Sequence, residues 1–298
     1  MCDKLISVII PTYGGNQSLK RAIDSVLLQD YPRVEVVVVD DNPPEFEARS
    51  LTEGIMADYR CDSRVVYCRH ECNKGGAAAR NTGVRASKGE YIGLLDDDDR
   101  FLQGKLSKQA AYLEAHPEFD AVYCWRQEGG NIVKSTQEGD LSASLLDLSF
   151  TPCTPSLLMR RDSFFDIGGF DETFRRHQDF EFLLRYFKRH RIGVVQEVLF
   201  EVIGNGVDNQ PKGANAVEIK RKFLHTFEKN IDEIDAEQKG FKKRVYARHY
   251  AGLMTKLLRY GNFGLFFRTY AEDAHKGGAL FWSELFGQLI TIVKKHLR

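Results

Sequence analysis

Short apolar runs alternate with amphipathic stretches through the first third of the chain. Ile6 to Ile10 is rich in β-branched residues and predicts a strand. From Ser18 to Leu28 the residues Leu19, Ala22, Ile23, Val26 and Leu27 recur at helical spacing. Val34 to Val39 predicts a second strand, and its unbroken valines at positions 36 to 39 imply burial on both faces. A helix around Glu45 to Tyr59, a strand at Val65 to Cys68 and an alanine-rich helix at Gly76 to Ser87 follow. The run Tyr91 to Leu95 then predicts a fourth strand. Strand and helix alternating four times predict an α/β fold, a doubly wound and mostly parallel sheet with helices on both faces.

Beyond this point the pattern loosens. A helix at Leu102 to Ala115 and a strand at Ala121 to Trp125 are expected, then a turn at Glu128 to Asn131 and a short strand at Ser156 to Met159. A helix at Phe180 to Arg189 and a strand at Val194 to Ile203 follow. The stretch from Gly204 to Gly213 is rich in Gly, Asn and Pro and reads as a loop or boundary, after which the periodicity is helical throughout. The expected division is therefore 1–204 and 205–298, the second part a helical extension. Its last segment, Ala279 to Arg298, is amphipathic and carries Trp282. Such a helix suits a membrane interface, a second subunit or its own domain.

Charge sharpens this division. The 298 residues hold 42 basic and 42 acidic side chains, a net charge of zero that argues against nucleic acid as a partner. Residues 239–298 nevertheless carry 12 Lys and Arg against 3 Asp and Glu, about +9 on a remainder of about −9. A basic tail on an acidic body suggests an anionic surface. The six cysteines form no regular framework, and the first residues lack a basic start and a long apolar run, so a reducing cytoplasm is expected. Cys68, His70 and Cys72 resemble half a zinc site without its second half.

The densest chemistry lies at the strand ends. The fourth strand empties into Asp96, Asp97, Asp98 and Asp99, carboxylates at the carboxyl end of a sheet, where α/β folds bind ligands. Hard oxygen ligands without Cys or His suit Mg²⁺ or Mn²⁺, ions commonly shared with a substrate's phosphates. The plainer alternative is an acidic turn that caps the helix near Leu102. After the first strand come Pro11, Thr12, Tyr13, Gly14 and Gly15, and after the second come Asp40 and Asp41. After the third come Asn73, Lys74, Gly75 and Gly76, followed by Arg80 and Asn81. One crevice would collect an aromatic face, carboxylates for a base or ribose, and a glycine-bearing helix start, which is what a nucleoside diphosphate needs. Each element also has a structural reading: Tyr13 as core packing, Asp40 and Asp41 as turn residues, the glycines as a plain helix entry.

Six stretches together resemble glycosyltransferase family 2, whose catalytic domain has the GT-A fold. They are SVIIPTYGGN from Ser7, EVVVVDDN from Glu35, NKGGAAARNTG from Asn73, GEYIGLLDDDD from Gly89, GGFDETF from Gly168 and QDFEFLLR from Gln178. The resemblance implies a catalytic domain at 1–204, with a nucleotide-sugar half at about 1–100 and an acceptor half at about 101–204. It implies that Thr12 and Tyr13, with Pro11, flank the nucleobase, and that Asp41 with Asp40 accepts from a uracil ring. Asp98 becomes the direct metal ligand, with Asp96 second, and Asp96 or Asp97 lies nearer the ribose. Arg80 resembles an arginine beside this acidic cluster, or serves as a salt-bridge partner of its loop. Asp179 becomes the catalytic base of an inverting transfer, with helix capping as its structural alternative. The family's usual Glu-Asp pair here reads Gln178-Asp179, and Asn42, Pro43 and Pro44 replace the usual Gly-Ser after the second-strand aspartates.

The implied reaction is transfer of a sugar from a UDP-sugar, with Mn²⁺ or Mg²⁺, to a saccharide or lipid-linked saccharide in surface polysaccharide assembly. The expected setting is the inner face of a membrane, contacted through 279–298, or a homodimer. Two rivals are a sugar-nucleotide nucleotidyltransferase and a non-enzymic cation- and membrane-binding protein. The first would want a basic glycine-rich loop after the first strand, where this chain has no basic residue until Lys20.

Overall fold

The computed structural model describes residues 4–15, 17–151, 153–204 and 211–296. In chain order the elements begin β1 (Ile6–Thr12), α1 (Leu19–Leu27), β2 (Val34–Asp40), α2 (Glu47–Ala57), β3 (Val65–Arg69), α3 (Gly76–Ala86) and β4 (Tyr91–Leu94). They continue with β5 (Arg100–Phe101), α4 (Lys105–Ala115), β6 (Ala121–Glu128), β7 (Asn131–Val133), α5 (Ser142–Leu146) and β8 (Leu158–Arg160). After α6 (Arg161–Asp166), α7 (Gln178–Phe187) and β9 (Ile192–Val202) the described residues form helices: α8 (Gly213–Thr226), α9 (Glu228–Glu237), α10 (Phe241–Arg259), α11 (Phe263–Glu272) and α12 (Gly278–His296).

The strands form one nine-stranded sheet in the order β3-β2-β1-β4-β8-β6-β9-β5, with β7 hairpinned onto β6. The first four run parallel, β8 is antiparallel to both neighbours, and β9 returns parallel to β6. Alternate side chains of β1 serve opposite faces, as strand geometry requires. Ile6, Val8 and Ile10 join the core formed with Leu19, Ile23 and Val26 of α1. Ile9 meets α3 on the other side, where a Cβ at Gly83 would lie 2.3 Å from Ile9 Cγ2 and 3.1 Å from Val39 Cγ2. Glycine at position 83 is therefore what lets α3 lie directly on β1 and β2.

The chain forms two compact units. One comprises residues 1–141 and 152–207, the other 142–151 and 208–298. The excursion 142–151, which carries no clear periodicity, thus belongs with the C-terminal helices. His249 Nε2 donates to Leu146 O at 2.8 Å, and Arg244 and Arg248 pair with Asp147 at 2.9 and 3.0 Å. Among the described residues no helix is long and apolar enough to cross a membrane.

Three local expectations change. The helix expected from Leu102 begins at Lys105, because Arg100 and Phe101 pair with Glu201 and Phe200 as an edge strand. The helix expected from Phe180 begins at Gln178, which brings Gln178 and Asp179 into its first turn behind His177. Residues 154–156 form a tight helical turn and the short strand follows it, at Leu158–Arg160. Most of the loop expected at Gly204 to Gly213 lies outside the described residues.

Candidate active site

Register brings the strand-end motifs together. Thr12 ends β1 opposite Asp40 at the end of β2, whereas β4 stops at Leu94 opposite Ile9. The chain leaving β4 therefore climbs past the end of β1, and Thr12 Oγ1 donates to Asp97 Oδ2 at 2.5 Å. Pro11, Thr12, Tyr13, Asp41, Gly76, Ala79, Arg80, Asp96, Asp97 and Asp98 line one open crevice of about 290 Å³.

The aspartate loop is pinned from α1. Ser18 Oγ donates to Asp97 O at 3.0 Å and Arg21 Nη2 to Asp98 O at 2.6 Å. The four carboxylates then separate by role. Asp99 is buried and accepts from the backbone N–H of Ile203 at 3.0 Å, and burial, with Asp96 and Asp98 nearby, pushes its pKa up to about 7. The tetrad does not cap a helix, since Gly104 precedes α4. Asp96, Asp97 and Asp98 are left partly exposed toward the crevice.

At the end of β2 successive residues point opposite ways. Asp41 faces the crevice and holds the glycine loop before α3, accepting from Lys74 N at 2.8 Å and Gly75 N at 2.7 Å. His70 Nδ1 lies 2.7 Å from the same carboxylate and its Nε2 lies 2.9 Å from Thr82 Oγ1. His70 is thus a brace for Asp41 rather than half of a zinc site. Asp40, expected beside Asp41 at the base, is turned into the protein with 0% exposure. It accepts from Tyr67 OH at 2.5 Å and from Asn42 Nδ2 at 2.7 Å, and pairs with Arg49 at 3.4 Å. Its oxygens are committed to the loop that follows it, as those of Asp41, 3% exposed, are to Lys74, Gly75 and His70; of the two only Asp41 lines the crevice. Asn42 in turn accepts from Gly14 N at 2.8 Å, so the residue that departs from the family pattern ties the second-strand loop to the first.

Tyr13 is not core packing. It is 54% exposed and stacks on Phe46 with ring centres 5.9 Å apart, leaving a ring face at the crevice rim.

Arg80 joins the two halves of the site. From α3 its Nη2 donates to Asp96 Oδ1 at 2.6 Å and its Nη1 to Gln178 Oε1 at 3.1 Å. Asp179 follows Gln178 in the first turn of α7. Burial raises the Asp179 pKa, opposed by backbone amides of Phe180 and Asp179 and by the Arg80 guanidinium. A buried carboxylate with a raised pKa is one that can serve as a general base.

The frame that holds the loop before α7 escaped sequence reasoning. Asn81 Nδ2 donates to Phe170 O at 2.8 Å and to Glu172 Oε1 at 2.9 Å, and its Oδ1 accepts from Phe170 N at 2.9 Å. Arg185 Nη2 donates to Gly169 O at 2.8 Å from α7. Asn81 and Arg185 thereby clamp the GGFDE loop between α3 and α7, the helix that carries Asp179. Both residues lie inside quoted motifs, but nothing local marks their partners.

Four carboxylates border the crevice, Asp41, Asp96, Asp97 and Asp98, of which Asp41 is held by the glycine loop and Asp97 by Thr12, and among the described residues no group of three or more His, Cys, Asp or Glu side chains gathers to cage a cation. That donor set fits Mn²⁺ or Mg²⁺ held jointly with phosphate oxygens, since such ions commonly take only one or two protein carboxylates.

Comparison with known proteins agrees with this geometry. A glycosyltransferase of Methanocaldococcus jannaschii is 28% identical over 211 residues, spanning 67% of this chain and 71% of that relative. A putative colanic acid biosynthesis glycosyl transferase, WcaA of Escherichia coli K12, is 39% identical over 112 residues, 38% of this chain and 39% of the relative. Among solved structures, S. aureus TarS 1-349 in complex with UDP-GlcNAc superposes with a TM-score of 0.62 at 20% identity, covering 95% of this chain and 92% of that one. Mannosyltransferase PcManGT from Pyrobaculum calidifontis, in complex with GDP-Man and Mn²⁺, gives 0.55 at 20% identity over 94% and 72% of the two chains. These likenesses identify the architecture as GT-A. The pattern of the family described as Glycosyl transferase family 2 matches residues 7–168, more than half of the chain, and the protein belongs to that family.

Proposed function

We propose that this glycosyltransferase moves a sugar from a UDP-sugar to an acceptor hydroxyl with inversion at the anomeric carbon. The observation that carries the reading is the Arg80 bridge, which ties Asp96 in the donor crevice to Gln178, the neighbour of Asp179. Donor and base sides are thereby held to one guanidinium, as a single displacement needs. Family membership removes the nucleotidyltransferase and the non-enzymic binder from consideration.

In this reading the exposed ring of Tyr13 and the Asp41 carboxylate flank the nucleobase, with Pro11 and Thr12 forming the floor. Asp97, oriented by Thr12, accepts from the ribose. Asp98 and Asp96 would hold Mn²⁺ or Mg²⁺, which would supply positive charge for the departing nucleoside diphosphate. Asp179 takes the proton of the acceptor hydroxyl as its oxygen attacks, a role contributing ~10²- to 10⁴-fold. The UDP-GlcNAc and GDP-Man complexes of the structural neighbours support a nucleotide-sugar donor, and the Mn²⁺ of one supports the metal. The naming of WcaA supports a saccharide or lipid-linked saccharide acceptor in surface polysaccharide assembly.

The test is a panel of nucleotide sugars read by thermal shift with Mn²⁺, followed by NMR of the product anomer. A UDP-sugar that raises Tm only with metal and yields an inverted linkage is the expected result. Retention of configuration, or stabilisation by no nucleotide sugar, refutes the proposal.

A further inference from the structure

The second unit carries an apolar strip that the proposed reaction does not use. On α11, Phe263 and Phe267 are four residues apart and 59% and 68% exposed. Tyr270 continues that face one turn on, and its ring meets Trp282 of α12 at 5.1 Å, with the indole N–H donating to Tyr270 OH at 3.2 Å. From Trp282 the strip follows a four-residue step through Phe286, 57% exposed, and Ile290, 55% exposed, to the exposed Lys294. The opposite face of α12 is the packed one, with Phe281 and Leu285 buried and Gln288 accepting from Thr255 Oγ1 at 3.2 Å. The helix therefore has its own interior side already satisfied, and the aromatic strip is a second, outward side.

Charge selects what covers it. Residues 239–298 carry 12 Lys and Arg against 3 Asp and Glu. All three acids are engaged: Asp273 pairs with Arg221 at 2.7 Å, Glu272 pairs with the same arginine, and Glu284 pairs with Arg248 at 3.2 Å. Asp273 also pairs with Lys276 at 3.6 Å, and the exposed Arg259, Arg268 and Lys294 leave this region basic. Two copies face to face would oppose like charge, whereas an anionic bilayer surface complements both the basic field and the aromatic strip. Trp and Phe on one face with lysine at the end is the composition of a helix lying in the lipid interface, and no described helix is built to cross it.

We infer that the strip from Phe263 through Tyr270 and Trp282 to Ile290 docks this protein peripherally on an anionic lipid surface, with α11 and α12 lying along the interface. This surface stands apart from the donor and base assignments, so it holds or fails without them.

The experiment is co-sedimentation of the full chain with vesicles of phosphatidylcholine alone or mixed with phosphatidylglycerol, at low and high NaCl. Binding to the anionic vesicles that weakens with salt is expected. Phe286→Ser and Phe267→Ser, both exposed substitutions, are expected to weaken it about tenfold, as loss of one buried aromatic implies, with the thermal melt unchanged. A blue shift of tryptophan emission on anionic vesicles, lost in Trp282→Tyr and attributable to that residue by a Trp125→Phe control, reports insertion. Unchanged binding in both serine variants overturns the inference. So does absence of vesicle binding together with a concentration-dependent dimer that Phe286→Ser abolishes.

Discussion

Replacing Asn81 by Asp should damage the protein more than replacing it by Ala, although Asp is the closer match in shape. Asn81 is 4% exposed and makes three hydrogen bonds to the loop before α7: it accepts from Phe170 N and donates to Phe170 O and Glu172 Oε1. Ala leaves the Phe170 N–H and C=O without their partner, at about 1–3 kcal/mol each. Glu172 is half exposed and can turn to water, so nothing is added for it. The expected loss is about 2–4 kcal/mol after relaxation. Asp keeps the acceptor for Phe170 N, but as a carboxylate it has no donor and faces a carbonyl and a second carboxylate. Relative to Ala it recovers one bond, about 1–3 kcal/mol, but an uncompensated buried charge costs about 3–5 kcal/mol at neutral pH, so the Asp variant is the less stable.

The pH dependence gives the refutable signature. Burial beside two acceptors would raise the pKa of the introduced carboxyl above its unfolded value of about 3.9. The folded state then binds the extra proton, so the variant's relative stability is greatest below that unfolded value and is lost as pH rises through the raised one. Urea unfolding followed by far-UV circular dichroism at several pH values between 4 and 8 measures this. The gap between the Asp and Ala variants should close toward acid pH, where the protonated carboxyl can again donate to Phe170 O. An Asp variant as stable as the Ala variant at pH 7, or a gap that does not change with pH, would refute the argument.

Asp179→Asn should lower turnover by ~10²- to 10⁴-fold with nucleotide affinity unchanged in calorimetry; wild-type turnover would remove Asp179 from the base role. Because burial raises its pKa, kcat/KM should fall as pH drops through a value above the ordinary carboxylate of about 3.9; an acid limb below that value, or none, contradicts the assignment. Asp98→Ala should abolish the Mn²⁺ dependence of UDP binding, and an affinity that still responds to Mn²⁺ would exclude Asp98 as the ligand. Gly83→Ala should cost about 1–3 kcal/mol, since its methyl would need the space held by Ile9 Cγ2, and an unchanged melting temperature would show that α3 can lift from β1 without penalty.

The strands and the three crevice loops were legible because burial on both faces writes itself as unbroken valine, and because parallel topology sends successive strand ends to one edge. Asp40 could have been resolved from the same pattern. Side chains alternate in direction along β2, and the structure turns Asp40 at its end into Tyr67, Asn42 and Arg49. What was hidden depends on partners far along the chain. The edge strand at Arg100–Phe101 exists only through its pairing with Glu201 and Phe200. The excursion 142–151 is held by Arg244, Arg248 and His249. Asn81 recognises backbone atoms of Phe170, and a backbone acceptor has no sequence signature.

Gln178 is where the departure from the family pattern acquires a physical meaning. Arg80 offers one positive charge to two neighbours, and with a neutral glutamine at 178 only Asp96 of the two competes for that charge by ion pairing. A glutamate there would divide the guanidinium between two carboxylates and set a third charge beside Asp179, raising that residue's pKa further. The amide instead keeps a hydrogen bond at the start of α7 while leaving Asp179 to burial, the backbone amides of Phe180 and Asp179, Arg80 and Asp96. A neutral residue at 178 therefore removes the mutual repulsion of an acidic pair, and Asp179 can ionise at lower pH than a paired carboxylate could.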